Sequence, residues 1–192
     1  MQRRNMLTAA VFAAMAFASL GGCANYREQG ETAADVQKTI DGGVDSTLAA
    51  LYTKVPGSRE LAGKARGVLV FPDVFQGGAV IGGEYGRGAL RVGGRTVGYY
   101  KTSSVSLGLQ LGAQSKALVM MFMTQDALDR LTNSVDKGWT AGADGSVALL
   151  HVGSNGTLEG SDTAAVNAFA MTNEGLMVAA NIDGTKITKI QW

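Results

Sequence analysis

The sequence predicts an α+β fold: a strongly curved, glycine-rich antiparallel β-sheet, barrel-like or sandwich, with N-terminal helices and one inserted helix. Three observations predict it. Val36, Ile40, Val44, Leu48 and Tyr52 recur every four residues, with Leu51 and Val55 beside them, which is the spacing of one helix face. From Val68 onward the apolar residues fall instead into short runs separated by glycine-rich turns, the pattern of strands. Finally, 12 of the 27 glycines lie between Gly67 and Gly112. Glycine inside strands marks bulges, sharp curvature or close backbone approach, so that density suits a bent sheet better than a flat one.

The elements follow in chain order. The first helix starts near Thr32, is weakened by Gly42-Gly43 and ends at Pro56-Gly57. Ser58 is placed to cap a second, shorter helix reaching Lys64. Val68 to Phe71 reads as a buried strand stopped by Pro72. Further strands are expected at Ala79 to Ile81, Ala89 to Val92, Thr96 to Tyr100, Val105 to Leu111 and Ala117 to Met123. Ser104 to Leu111 alternates, with Val105, Leu107, Leu109 and Leu111 on one face. Thr124 as N-cap, acids at Asp126 and Asp129, an apolar stripe of Leu128, Leu131 and Val135, and the Lys137-Gly138 stop define the inserted helix. Asp144-Gly145, Asn155-Gly156 and Asp183-Gly184 are turn dipeptides, and Thr172 to Gly175 is a fourth turn.

Composition removes several function classes. With 46% hydrophobic residues the chain can bury a core. One cysteine closes no intrachain disulfide, and one histidine builds no Cys/His metal cage. A formal net charge of +1 offers no electrostatic case for nucleic acid as a partner.

The first residues read as an export signal. Arg3 and Arg4 form a positive n-region, and Leu7 to Leu20 is apolar except for Thr8 and Ser19. That run is shorter than the roughly 20 residues needed to cross a bilayer. Leu20-Gly21-Gly22-Cys23 resembles the lipobox of bacterial lipoproteins, in which a thiol behind two small residues takes a thioether-linked diacylglycerol. The expected organisation is a signal peptide over 1–22, a lipid-anchored tether over 23–31 and a single domain over 32–192. Lipidation is expected at Cys23. Ala24, where an aspartate would retain the protein at the inner membrane by the sorting rule of enteric bacteria, favours the outer membrane. Arg3 to Leu7 also bears a loose likeness to a twin-arginine signal, and the export route stays open.

Chemistry is sparsely advertised. His151, the only histidine, sits in an apolar strand-like run and reads as a structural strand-end residue. No spacing among the acids singles out a catalytic pair, and Asp73 and Glu84 read as turn residues. Gly83-Glu84-Tyr85-Gly86-Arg87-Gly88 lacks the Gly-Lys-Ser/Thr ending of a phosphate loop. Arg87, Arg91 and Arg95 span a hairpin around Gly93-Gly94 and share a face at strand spacing. They read either as edge-strand charges or, with Lys101, as an anion or lipid-headgroup contact. Met120, Met121 and Met123 read as core filler. No catalytic residue, metal site or cofactor is expected.

Several ordered motifs resemble one family. Ala65-Arg66-Gly67-Val68-Leu69-Val70-Phe71-Pro72, Gly77-Gly78 and Ile81-Gly82-Gly83-Glu84-Tyr85-Gly86-Arg87-Gly88 are similar to the opening of the SYLF lipid-binding domain, a module also found in a yeast actin-organising protein. Ser106 to Gln114 is similar to its Ser-x-Gly-x-Gln-x-Gly segment, and Ala117 to Met123 to the following apolar strand. Glu174-Gly175-Leu176-Met177 and Asp183-Gly184-Thr185-Lys186-Ile187 resemble its closing motif. The resemblance runs from about Leu48 to Ile190. It implies binding rather than catalysis: phospholipid association, partly through a basic amphipathic helix ahead of the first strand. Here that segment is Ser58 to Arg66, with Arg59, Lys64 and Arg66 as its bases and Glu60 as a departure. Actin binding by some members is a further implication, without residues to carry it. The expected function is a non-catalytic, membrane-anchored lipoprotein binding a phospholipid membrane; the alternative is an envelope scaffold docking a protein partner.

Overall fold

The computed structural model describes residues 31–78, 81–107, 114–134, 137–152, 158–159, 164–172, 175–177 and 182–192. The expected signal peptide, Cys23 and the expected tether up to residue 30 lie outside the described residues, as do Leu109, Leu111, Val135 and the Asn155-Gly156 dipeptide. Residues 33–192 form one compact unit.

Two helices lead. α1 (Ala33–Lys54) buries Ile40, Val44, Thr47 and Leu51, so its inward stripe advances by 3.6 rather than by four residues. Gly42-Gly43 does not interrupt it. Gly43 is where the helix meets the sheet: a Cβ there would stand 2.9 Å from Pro72 Cβ and Cγ. α2 (Ser58–Lys64) follows after a turn through Gly57, which takes φ +82°. Ser58 does not cap α2. It is buried, and its hydroxyl donates to the carbonyls of Val55 (2.6 Å) and Leu51 (3.2 Å), closing the C-terminus of α1 instead.

Four long strands follow: β1 (Gly67–Gly78), β2 (Ile81–Val92), β3 (Arg95–Leu107) and β4 (Gln114–Phe122). α3 (Gln125–Asn133) is the inserted helix; the Thr124 hydroxyl accepts from the Ala127 amide at 3.2 Å, the expected cap. Shorter strands complete the chain: β5 (Trp139–Thr140), β6 (Val147–Leu149), β7 (His151–Val152), β8 (Leu158–Glu159), β9 (Val166–Met171) and β10 (Lys186–Lys189). The eight-stranded sheet has the order β5-β10-β3-β2-β1-β4-β9-β6, curled into a half-barrel; β7 and β8 form a separate pair. The sheet is antiparallel except for β6 and β9, which pair in parallel.

Pro72 does not end β1. The pairing of β1 slips between Val70 and Asp73 on one side and between Phe71 and Val74 on the other. Proline has no N–H to give to a ladder, so the strand bulges there and resumes. The glycines opposite belong to the same device. A Cβ on Gly88 would overlap the Val70 carbonyl oxygen, and one on Gly86 would lie 2.8 Å from that of Asp73. The expected breaks in β2 are therefore close approaches within one continuous strand.

Strand alternation sorts the apolar runs into two cores. Leu69, Phe71, Leu118, Met120 and Phe122 point into the curl, where α3 supplies Leu128 and Leu131 and Trp139 meets Phe122 edge-on at 6.0 Å. Val68, Val70, Val119, Met121 and Phe169 point to the other face, beneath Ile40, Val44 and Leu51 of α1. Both faces being covered explains why Val68–Phe71 and Leu118–Phe122 are unbroken apolar runs.

Candidate functional site

Helix α1 covers only part of its sheet face, and the candidate basic residues divide between its border and the area beyond. Arg91 is at the border. Its guanidinium donates to Asp45 Oδ1 at 2.8 Å and lies 3.4 Å from Asp41 Oδ1, with 17% of the side chain exposed. Asp41 also accepts from the Thr96 hydroxyl (2.7 Å) and the Tyr99 phenol (2.8 Å). Burial, and next the bond to Asp41, raise the Tyr99 pKa above its usual value. This network clamps α1 to β2 and β3, so Arg91 is a structural residue, not a free headgroup ligand. Asp41 and Asp45, one turn apart on the helix, were the overlooked signal.

Two of the three bases on the segment Ser58 to Arg66 are also engaged. Arg59 lies over the Tyr52 ring, 4.4 Å from its centroid, a cation–π geometry. Burial raises the Tyr52 pKa, and the Arg59 charge partly offsets this. Lys64 pairs with Glu60 at 2.7 Å on the open surface, and that hydrogen bond, then the charge, lowers the Glu60 pKa. Arg66 is exposed and makes no ion pair among the described residues. Arg59 and Arg91 do line one shallow cleft of about 390 Å³ with Tyr52 and Asp45. Arg95 stands exposed beside the β2–β3 turn, away from Arg87.

Beyond α1 the strand register builds a different surface. Asp73, Arg87, Lys101 and Thr188 form one row across β1, β2, β3 and β10. Phe75, Tyr85, Ser103 and Lys186 form the next. Val105, opposite Gly83, continues this face one step on. Arg87 and Lys101 are exposed, directly opposed like charges that join no acid among the described residues. Their strands are interior, so these are not edge charges. Asp73 accepts from the Ser115 hydroxyl. A groove of about 540 Å³ is lined by Tyr85, Arg87, Lys101, Thr188 and Trp192; Lys189 borders it too, but it pairs with Tyr100 and its side chain lies beside Gly98, on the other face.

The remaining candidates are structural. Glu84 is not a turn residue: it lies in β2, turned to the opposite face, and makes a buried 2.8 Å ion pair with Lys116 across β1. Asp73 likewise sits in β1 rather than in a turn. His151 belongs to the small β7–β8 pair. Among the described residues no cluster of three or more His, Cys, Asp or Glu could hold a metal ion, and no helix is long and apolar enough to cross a membrane.

None of the curated proteins compared with the chain matches it. Residues 103–191 match a family model described as "Ysc84: Las17-binding protein actin regulator". The match begins inside β3, yet β1 and β2 stand between β3 and β4 in the sheet, so the fold needs the preceding strands as well. By this match residues 103–191 carry the signature of the Ysc84-type, or SYLF, domain family.

Proposed function

We propose that the protein is a non-catalytic, lipid-anchored envelope lipoprotein whose SYLF domain binds anionic phospholipid membranes. The observation that carries the reading is the Arg87–Lys101 pair. Two like charges opposed across neighbouring strands destabilise a sheet, and neither makes an ion pair among the described residues; Asp73 stands opposite Arg87 on β1 but is taken up by the Ser115 hydroxyl, and no acid opposes Lys101. A phosphate-bearing surface would relieve them, at about 1 kcal/mol per basic residue near an anionic membrane. The lipobox-like Leu20-Gly21-Gly22-Cys23 supports the anchor. Several acyl chains on Cys23 would hold the chain firmly. From Cys23 to Ala33 the chain reaches at most about 35 Å at 3.3–3.6 Å per residue, which keeps the domain at the membrane that carries it. Ala24 supports the outer membrane, facing the periplasm.

The test is co-sedimentation of residues 24–192, which contain both cores, with vesicles. Phosphatidylcholine vesicles containing phosphatidylglycerol should pellet the protein, with binding falling as salt rises; phosphatidylcholine alone should not. No binding at any composition would sink the reading. A second reading, a protein-docking scaffold, draws on the family's description as Las17-binding. It predicts one stoichiometric, salt-insensitive protein partner and no vesicle binding.

A further inference from the structure

We propose that the sheet face left uncovered by α1 rests on the bilayer interface, with a lipid phosphodiester in the Arg87–Lys101 groove and Phe75, Tyr85, Val105 and Trp192 among the headgroups. This rests on the phospholipid-binding reading and adds the site, the orientation and an apolar contribution.

Among the described residues, Phe75 (55%), Tyr85 (50%), Val97 (52%), Val105 (78%) and Trp192 (54%) are large side chains left exposed. Val97 stands apart at the irregularity near the β2–β3 turn, but the other four are not scattered. Phe75 opposes Tyr85, Val105 stands on the same face one row on, and Trp192 shares the groove with Tyr85. Water-facing strand positions ordinarily carry polar residues. Here the apolar rows are bordered by Arg87, Lys101 and Lys186, against a single acid, Asp73, whose carboxylate accepts the Ser115 hydroxyl. Aromatic side chains beside lysine and arginine are the composition of a membrane interface. A protein partner fits less well, because lysine is depleted from the cores of protein interfaces. Four strands at about 4.8 Å spacing make the face roughly 15 Å wide, enough to rest on several headgroups. Tyr99 holds the Trp192 ring edge-on at 5.9 Å, so the indole is presented rather than trailing.

Trp192 makes the proposal directly readable, because the other tryptophan, Trp139, is 1% exposed inside the curl. Residues 24–192 are bound to phosphatidylglycerol vesicles in which the phosphatidylcholine carries brominated acyl chains. The expected result is quenching of tryptophan emission that Trp192→Phe removes. Phe75→Ser/Tyr85→Ser/Val105→Ser should lose at least tenfold in vesicle partitioning while keeping its melting temperature. Arg59→Ser/Lys64→Ser/Arg66→Ser should bind within twofold of the parent. Binding without Trp192 quenching, or unchanged partitioning of the triple sheet variant, would overturn the docking face and leave phospholipid binding standing. Absence of any vesicle binding by the parent would remove both.

Discussion

Single residues in this domain carry sharply different loads, and glycine shows it best. Gly42 faces open space in α1, whereas Gly43 abuts Pro72. Gly42→Ala should therefore stabilise the protein by about 0.5–1 kcal/mol through helix propensity, and Gly43→Ala should destabilise it despite the same local preference. Thermal melts of the two variants check the opposite signs. The Glu84–Lys116 pair makes a second test, since breaking a buried pair strands the remaining charge. Lys116→Met alone should cost about 3–5 kcal/mol, and adding Glu84→Gln should recover most of it; denaturant titration measures both. Tyr99 sets an alkaline limit. Its phenol stays protonated above its usual range in the folded state, so its stabilising share is complete below about pH 10 and is lost as pH rises further. Tyr99→Phe should flatten the fall in melting temperature above that pH.

At the level of elements, the sequence was legible where one period dominated. The first helix, the cap of α3 with its Leu128 and Leu131, and the Asp183-Gly184 turn stand where the pattern put them, although the buried stripe of α1 drifts to Thr47 and Leu51 and α3 ends at Asn133 rather than at the Lys137-Gly138 stop. What stayed illegible was set by contacts distant along the chain. Pro72 reads as a stop, but the bulge that absorbs it depends on Gly86 and Gly88 in β2, and no local rule reveals that pairing. The parallel β6–β9 pair, which puts β6 at the sheet edge, is likewise a long-range pairing that neither strand shows by itself. The basic residues show the same limit. Arg87, Arg91 and Arg95 look equivalent at strand spacing, yet α1 lies against one of them and uses it. Arg91→Gln should accordingly lower stability by about 1–3 kcal/mol, the range for hydrogen bonds to charged groups. Its effect on vesicle binding should be small, read by the same co-sedimentation.

On the scale of the whole molecule, the topology interleaves the family-matched segment with the chain that precedes it. The matched segment supplies β4 to β10 and only the end of β3 from residue 103, while the preceding chain supplies β1, β2, the start of β3 and the helix that covers part of one face. Where α1 ends its coverage, the surface turns basic and aromatic. The most direct measurement compares phosphatidylglycerol vesicle partitioning of residues 24–192 with that of Arg87→Ser/Lys101→Ser. Two bases at about 1 kcal/mol each predict binding at least tenfold weaker, with a shallower salt dependence. Equal binding by the parent and the double variant would contradict the account.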